Sequence, residues 1–207
     1  MSVAAVDYWR SLPGWFNFED VYQQAVANSR DGDTLVEVGV FLGKSLCMLL
    51  QEVDRSGRAL SVVGVDAFRI DDEYFGQVMM PWGELARDWK VRDGADVLYD
   101  TARANLAACP DRRHLRALHR CESHDTTAIA PGSCSLVYLD ANHTYEHVLR
   151  DLHAWYPMVR PGGILAGHDL NSKGHNCGVR EAVTAFVASQ PGLAFEPMGG
   201  NSWIIRL

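Results

Sequence analysis

The chain has 207 residues, 47% of them apolar and 22% charged, with a formal net charge of −7. That length and mix suit one soluble globular domain with a sizeable core, and the acidic balance argues against a nucleic-acid partner, whose phosphates usually meet a basic surface. No uncharged apolar run approaches the roughly 18 residues that span a bilayer, and Met1 to Arg10 meets Asp7 early and lacks a basic leader, so neither membrane insertion nor secretion is expected. Five scattered cysteines without a Cys-x-x-Cys pair read as reduced thiols of a cytoplasmic protein.

In chain order, Tyr8, Trp9, Trp15, Phe16 and Phe18 form an aromatic segment ahead of a helix capped by Asn17 and running to about Asn28. These first 30 residues read either as packing onto a sheet or as a helical lid over a pocket. Thr34 to Val38 is a short apolar strand with Glu37 near its carboxyl end. Gly39 and Gly43 bracket a tight turn, and Ser45 begins an apolar helix to about Asp54. A strand, a glycine-rich turn and a helix amino terminus suit a nucleotide-like ligand, and the acid at Glu37 favours a cationic or hydroxyl-bearing one. Leu60 to Val65 is a second strand ending in Asp66, where an acid can take two ribose hydroxyls. Residues 67–94 interrupt the alternation with Phe68, Tyr74, Phe75, Met79, Met80, Trp82 and Trp89. Such a connection is either a satellite cluster or an insertion covering the pocket.

A helix over Ala95 to Cys109 precedes a third strand, Leu115 to Leu118; Ser123 is placed to cap a short helix near Asp125 to Ala128. Ser135 to Leu139 is a fourth strand ending in Asp140, and a helix runs from His143 to Val159. After a Pro161-Gly-Gly163 turn, the fifth strand ends in His168-Asp169. A helix from Val179 to Ser189 and a hairpin (Ala194 to Glu196, Trp203 to Arg206, joined at Gly199-Gly200) complete the chain. This predicts a single α/β domain over residues 1–207: a seven-stranded, mostly parallel sheet with an antiparallel last strand and helices on both faces.

In such sheets ligands bind beyond the carboxyl ends of the strands. Here that edge carries Glu37, Asp66, Asp140 and the pair His168-Asp169. Clustered carboxylates repel one another unless a proton or cation enters, so a charged ligand, a metal or both are implied. His143, three residues after Asp140, is placed as a proton acceptor near neutral pH.

The motifs Glu37-Val-Gly-Val-Phe-Leu-Gly-Lys-Ser45, Val65-Asp-Ala-Phe68, Leu139-Asp-Ala-Asn-His-Thr-Tyr-Glu146, Pro161-Gly-Gly163 and Gly167-His-Asp169 together resemble the class I S-adenosylmethionine-dependent methyltransferases with their Rossmann-like fold. Within them, the chain is similar to a bacterial group that includes macrolide-sugar O-methyltransferases and cephalosporin-biosynthesis methyltransferase-like proteins. The resemblance implies a cofactor, S-adenosylmethionine, held by Glu37, Gly39, Phe41, Gly43, Ser45, Asp66, Ala67, Ser123 and Asp140. It implies catalysis by His143 as base with Asp140, and a divalent metal at Asp140, His168 and Asp169. Because His168 stands where metal-dependent relatives carry a second acid, Mg²⁺, another divalent metal and no metal remain open. The acceptor implied is a small-molecule hydroxyl, a sugar or a phenol, and Trp15 and Trp82 are candidates for an interface between copies of the chain.

Three other readings compete. His143-Thr-Tyr-Glu-His147 spells the H-x-x-E-H of inverted zinc peptidases. A nicotinamide enzyme would share the Asp66 logic, but the first turn lacks G-x-G-x-x-G. A catalytically silent scaffold that binds the cofactor without turnover would share every motif.

Overall fold

The computed structural model describes residues 7–69, 83–84, 97–173 and 177–207. Seven strands, β1 (Thr34–Val38), β2 (Ser61–Asp66), β3 (Leu115–Arg120), β4 (Cys134–Leu139), β5 (Val159–Gly167), β6 (Phe195–Pro197) and β7 (Trp203–Arg206), form one sheet in the order β3-β2-β1-β4-β5-β7-β6. β1 pairs in parallel with β2 and β4, and the parallel set extends outward to β3 and β5; β7 runs antiparallel to both β5 and β6. This is the expected Rossmann-like sheet with its antiparallel last strand.

Among the described residues five α-helices cover the sheet: α1 (Glu19–Asn28), α2 (Lys44–Ser56), α3 (Val97–Ala108), α4 (Tyr145–Trp155) and α5 (Val179–Ala188). Alternation along β1 sorts its side chains. Leu35 joins Tyr22, Leu46 and Leu106 in the layer under α1, α2 and α3, while Val36 and Val38 join Leu152, Trp155 and Phe186 under α4 and α5. Strands buried on both faces read as continuous apolar runs, and β1 and β4 are buried throughout. Trp155 and Trp203 are fully buried, each burial contributing on the order of 2–3 kcal/mol. Trp9 and Phe18 of the amino-terminal segment lie in the core, whereas Trp15 is 52% exposed and stacks on Phe41 with ring centroids 5.8 Å apart. Among the described residues no helix is long and apolar enough to cross a membrane.

Several boundaries differ from expectation for local reasons. α1 starts at Glu19 behind Phe18 with no side-chain cap, because the Asn17 amide oxygen faces His168 Nε2 at 2.9 Å. No helix forms over 125–128: the Ser123 hydroxyl that was to cap it donates instead to Asp151. α4 begins after Thr144, which leaves His143 on the preceding turn, its carbonyl accepting from Gly178 N–H at 2.8 Å. Pro161-Gly-Gly163 falls inside the span of β5 rather than ahead of it. Of the insertion, 70–82 and 85–96 lie outside the described residues, and so do Trp82 and Trp89.

The order of strands reverses between β1 and β4, and the chains leaving these two strands diverge to open a crevice at their carboxyl ends. Gly39 sits at that point with φ 96°, and a Cβ there would lie 2.1 Å from the Asp140 carbonyl oxygen. Gly57, past the end of α2, also has positive φ but nothing near its missing Cβ. Gly57→Ala should therefore cost only the strain, about 1 kcal/mol, and Gly39→Ala about 3 kcal/mol or more. Denaturant unfolding of both variants checks this; equal losses would contradict the close approach.

Candidate active site

Asp66 organises the turn after β1. Its Oδ2 accepts the backbone N–H groups of Val40 at 2.7 Å and Phe41 at 2.8 Å, and its Oδ1 accepts that of Phe68 at 2.6 Å. These bonds hold Phe41 and Phe68 at φ 50° and 52°, left-handed conformations that few side chains adopt. Burial raises the Asp66 carboxyl above its usual range against the three amides that favour ionisation. Gly39, Phe41, Asp66, Ala67 and Phe68, at and after the ends of β1 and β2, and Asp140, Asn142, His143 and His147, after β4, line a cleft of about 480 Å³, with Ser123 also in its lining. This volume suits a small organic ligand.

The expected binding residues divide into two layers. Gly39, Phe41, Asp66, Ala67, Ser123 and Asp140 line the cleft; Glu37, Gly43 and Ser45 are not among the lining residues. Glu37 is 1% exposed and accepts Tyr22 Oη–H at 2.5 Å and Ser45 Oγ–H at 2.9 Å. Burial pushes its carboxyl up to about 8, against the two hydroxyls and with Asp140 and Asp66 adding to the rise. Gly43 takes φ 87° and its missing Cβ would pack on Leu106 of α3.

At the other end, His143 Nε2 lies 3.3 Å from Asp140 Oδ1 and 3.3 Å from Asp169 Oδ2. Burial disfavours the His143 cation, but the two carboxylates outweigh it and raise its basicity. His168 turns differently: its Nδ1 is 3.4 Å from Asp169 Oδ2, while its Nε2 faces the Gly200 carbonyl at 2.7 Å and Asn17. Despite burial, its hydrogen bond to His168 and the His143 ring beside it hold the Asp169 carboxyl well below the usual carboxylate range. Asp169 itself takes φ 58° and accepts the Ser172 hydroxyl and the Asn201 amide.

Asp140, His143 and Asp169 can bring one ligand atom each within 4.8 Å of one another. Two carboxylates and an imidazole fit a divalent cation, the carboxylates suiting Mg²⁺ and the imidazole a transition metal. The nitrogen in that set is His143's; His168, expected there, turns Nε2 to Gly200 while its Nδ1 stays 3.4 Å from Asp169 and 3.9 Å from Asp140. His147, the second histidine of the peptidase-like motif, bonds the Thr144 hydroxyl at 2.7 Å and stands outside that cluster.

Tyr22, Asn201 and Asp151 carry parts of this arrangement that the sequence reading missed. Asp151 had a signal: it falls in the apolar stripe Val148, Leu152, Trp155 of α4, where a charge is out of place. Tyr22 had none, since its partner Glu37 lies 15 residues on, in a different element. Because the raised Glu37 titrates at about 8 in the fold against the ordinary 4.5, burying its ionised form lowers stability as pH rises from 4.5 to 8. Glu37→Gln should therefore gain on the native protein across that window and hold a constant difference above it. Unfolding midpoints at pH 5, 7 and 9 check this; a difference that shrinks with pH would contradict it.

The comparisons with known proteins follow the same lines. A family model described as a methyltransferase domain matches residues 36–170, well over half of the chain. Among solved structures, Rv0187 from MTB, a cofactor-bound crystal structure, is similar at TM-score 0.62 and 15% identity over 100% of this chain and 81% of its own. The O-methyltransferase NovP is similar at 0.60 and 22% over 91% and 78%. The O-methyltransferase TomG from Streptomyces achromogenes, in complex with SAM, is similar at 0.56 and 12% over 91% and 78%. No curated protein matches in sequence. With its motifs, its sheet and that family match together, the chain belongs to the methyltransferase-domain family and is a class I S-adenosylmethionine-dependent methyltransferase.

Proposed function

We propose that this enzyme methylates a hydroxyl of a small molecule, a sugar or a phenol, with His143 as the proton acceptor. The observation that carries the reading is the cleft itself. One end is an amide-bound acid, Asp66, beside a glycine turn; the other is an imidazole between two carboxylates. The methyl donor supplies an electrophilic methyl group when bound. The Gly39–Phe41 turn and Asp66 would hold its ribose and amino-acid portions, and Asp66 keeps one lone pair, on Oδ1, for a hydroxyl group after accepting three amides. Glu37, below the turn, is mostly protonated near neutral pH and can ionise under a cationic ligand, whose charge favours the carboxylate. Structural neighbours named as O-methyltransferases favour oxygen as the acceptor atom.

At the reactive end, a hydroxyl placed against His143 loses its proton to the imidazole, and the carboxylates beside Nε2 stabilise the imidazolium that results. Asp140 and Asp169 also orient the ring, so the base is held before substrate arrives. Asp140, Asp169 and the His143 or His168 nitrogen would hold a divalent metal, which would acidify a hydroxyl too weakly acidic for imidazole alone. The five free cysteines fit a reducing, cytoplasmic compartment.

The test is transfer of a labelled methyl group from S-adenosylmethionine to a panel of phenols and sugar hydroxyls, with and without added Mg²⁺. His143→Ala should lower the rate by about 100-fold or more and leave S-adenosylhomocysteine affinity within about twofold. A full-rate His143→Ala variant would sink the assignment of the base. Tight cofactor binding with no turnover on any hydroxyl would favour the silent scaffold.

A further inference from the structure

Asp151 is 3% exposed on the sheet-facing side of α4, and no step proposed above uses it. Its Oδ1 accepts the Ser123 hydroxyl at 2.7 Å. One turn on, Trp155 Nε1–H donates to the Ser123 carbonyl at 2.7 Å, and Trp155 is fully buried. Ser123 therefore has its hydroxyl and its carbonyl pinned by two side chains of one helix. It lines the same cleft as Asp66, Ala67 and Phe68.

The placement is costly in isolation. Burial pushes the Asp151 carboxyl up to about 6, against the Ser123 hydrogen bond and the nearby Arg150. An apolar residue would fit the stripe Val148, Leu152, Trp155 better on packing grounds alone. What the carboxyl supplies is a fixed position for a loop that has no regular structure between β3 and β4 to hold it. α4 links that position to the reactive end: its first residue follows His143 and Thr144, and Asp151 and Trp155 further along it grip Ser123.

We propose that Asp151 and Trp155 are positioning residues that set one wall of the donor site through Ser123, and so fix where the nucleoside of the methyl donor lies relative to His143. The inference rests on the methyltransferase reading above. Since the Ser123 hydroxyl is already donated to Asp151, the wall meets the ligand through its backbone and the hydroxyl's free lone pairs, and Ser123 is a spacer of defined position rather than a donor to the ligand.

The experiment is calorimetric titration of S-adenosylhomocysteine into the native protein and into Asp151→Ala, Asp151→Asn and Trp155→Phe, with steady-state methyl transfer measured alongside. Asp151→Ala and Trp155→Phe should each weaken binding by about tenfold, raise KM for the donor in parallel, and leave kcat at saturating donor and KM for the acceptor within about twofold. Asp151→Asn, which keeps an acceptor oxygen for Ser123, should restore native affinity. Unchanged affinity in folded Asp151→Ala and Trp155→Phe would overturn the inference, as would a loss spread equally over donor KM, acceptor KM and kcat, the pattern of general loosening. Failure of the native protein to bind S-adenosylhomocysteine would overturn the methyltransferase reading and this one with it, so the two failures are told apart by the native titration.

Discussion

Carboxylate crowding at the carboxyl edge of the sheet is the constraint around which this site is built. Glu37, Asp66, Asp140 and Asp169 all follow from β1, β2, β4 and β5, and among the described residues none forms an ion pair with lysine or arginine. Each is accommodated by a different neutral or weakly basic group. Glu37 receives two hydroxyls, Asp66 three backbone amides, and Asp140 and Asp169 two imidazoles. Fixed arginines would have neutralised the edge and left nothing for a cationic ligand to balance. Hydroxyls, amides and imidazoles leave the local potential negative, which suits a sulfonium-bearing donor at one end and a proton acceptor at the other.

Close backbone approach turns that edge into a cleft. Gly39 lies against the Asp140 carbonyl, so the turn after β1 and the end of β4 touch without intervening side chains. Positive φ values at Phe41, Phe68 and Asp169, none of them glycine, occur at this edge and are each held by hydrogen bonds to or from a site carboxylate or its neighbours. Strain of this kind persists where the surroundings over-determine it, and it places ring and carboxylate before any ligand binds.

Much of the architecture was legible because the strands are apolar runs ending in acids, and the glycines that punctuate β1 and α2 have steric causes readable from spacing. Glu37, Asp66, Asp140, His143 and Asp169 could be listed from strand ends alone. What spacing could not convey was direction. Glu37 points beneath the turn towards Tyr22 because alternation along β1 sends it to the α1 and α2 face, while His168 turns its outer nitrogen to Gly200 and leaves His143 between the carboxylates. Asn17 was read as a helix cap because local sequence offers nothing else for it, and its partner lies about 150 residues away in the chain. Long-range pairings of this kind carry no periodic signature.

A methyl donor whose ribose meets Asp66 is the centre of the proposed function. The most direct measurement is calorimetric titration of S-adenosylhomocysteine into the native protein and into Asp66→Asn. Micromolar binding by the native protein, weakened by at least about tenfold in a folded Asp66→Asn variant, is the predicted result. Equal affinity in the two proteins, or no binding to a folded native protein, would contradict it.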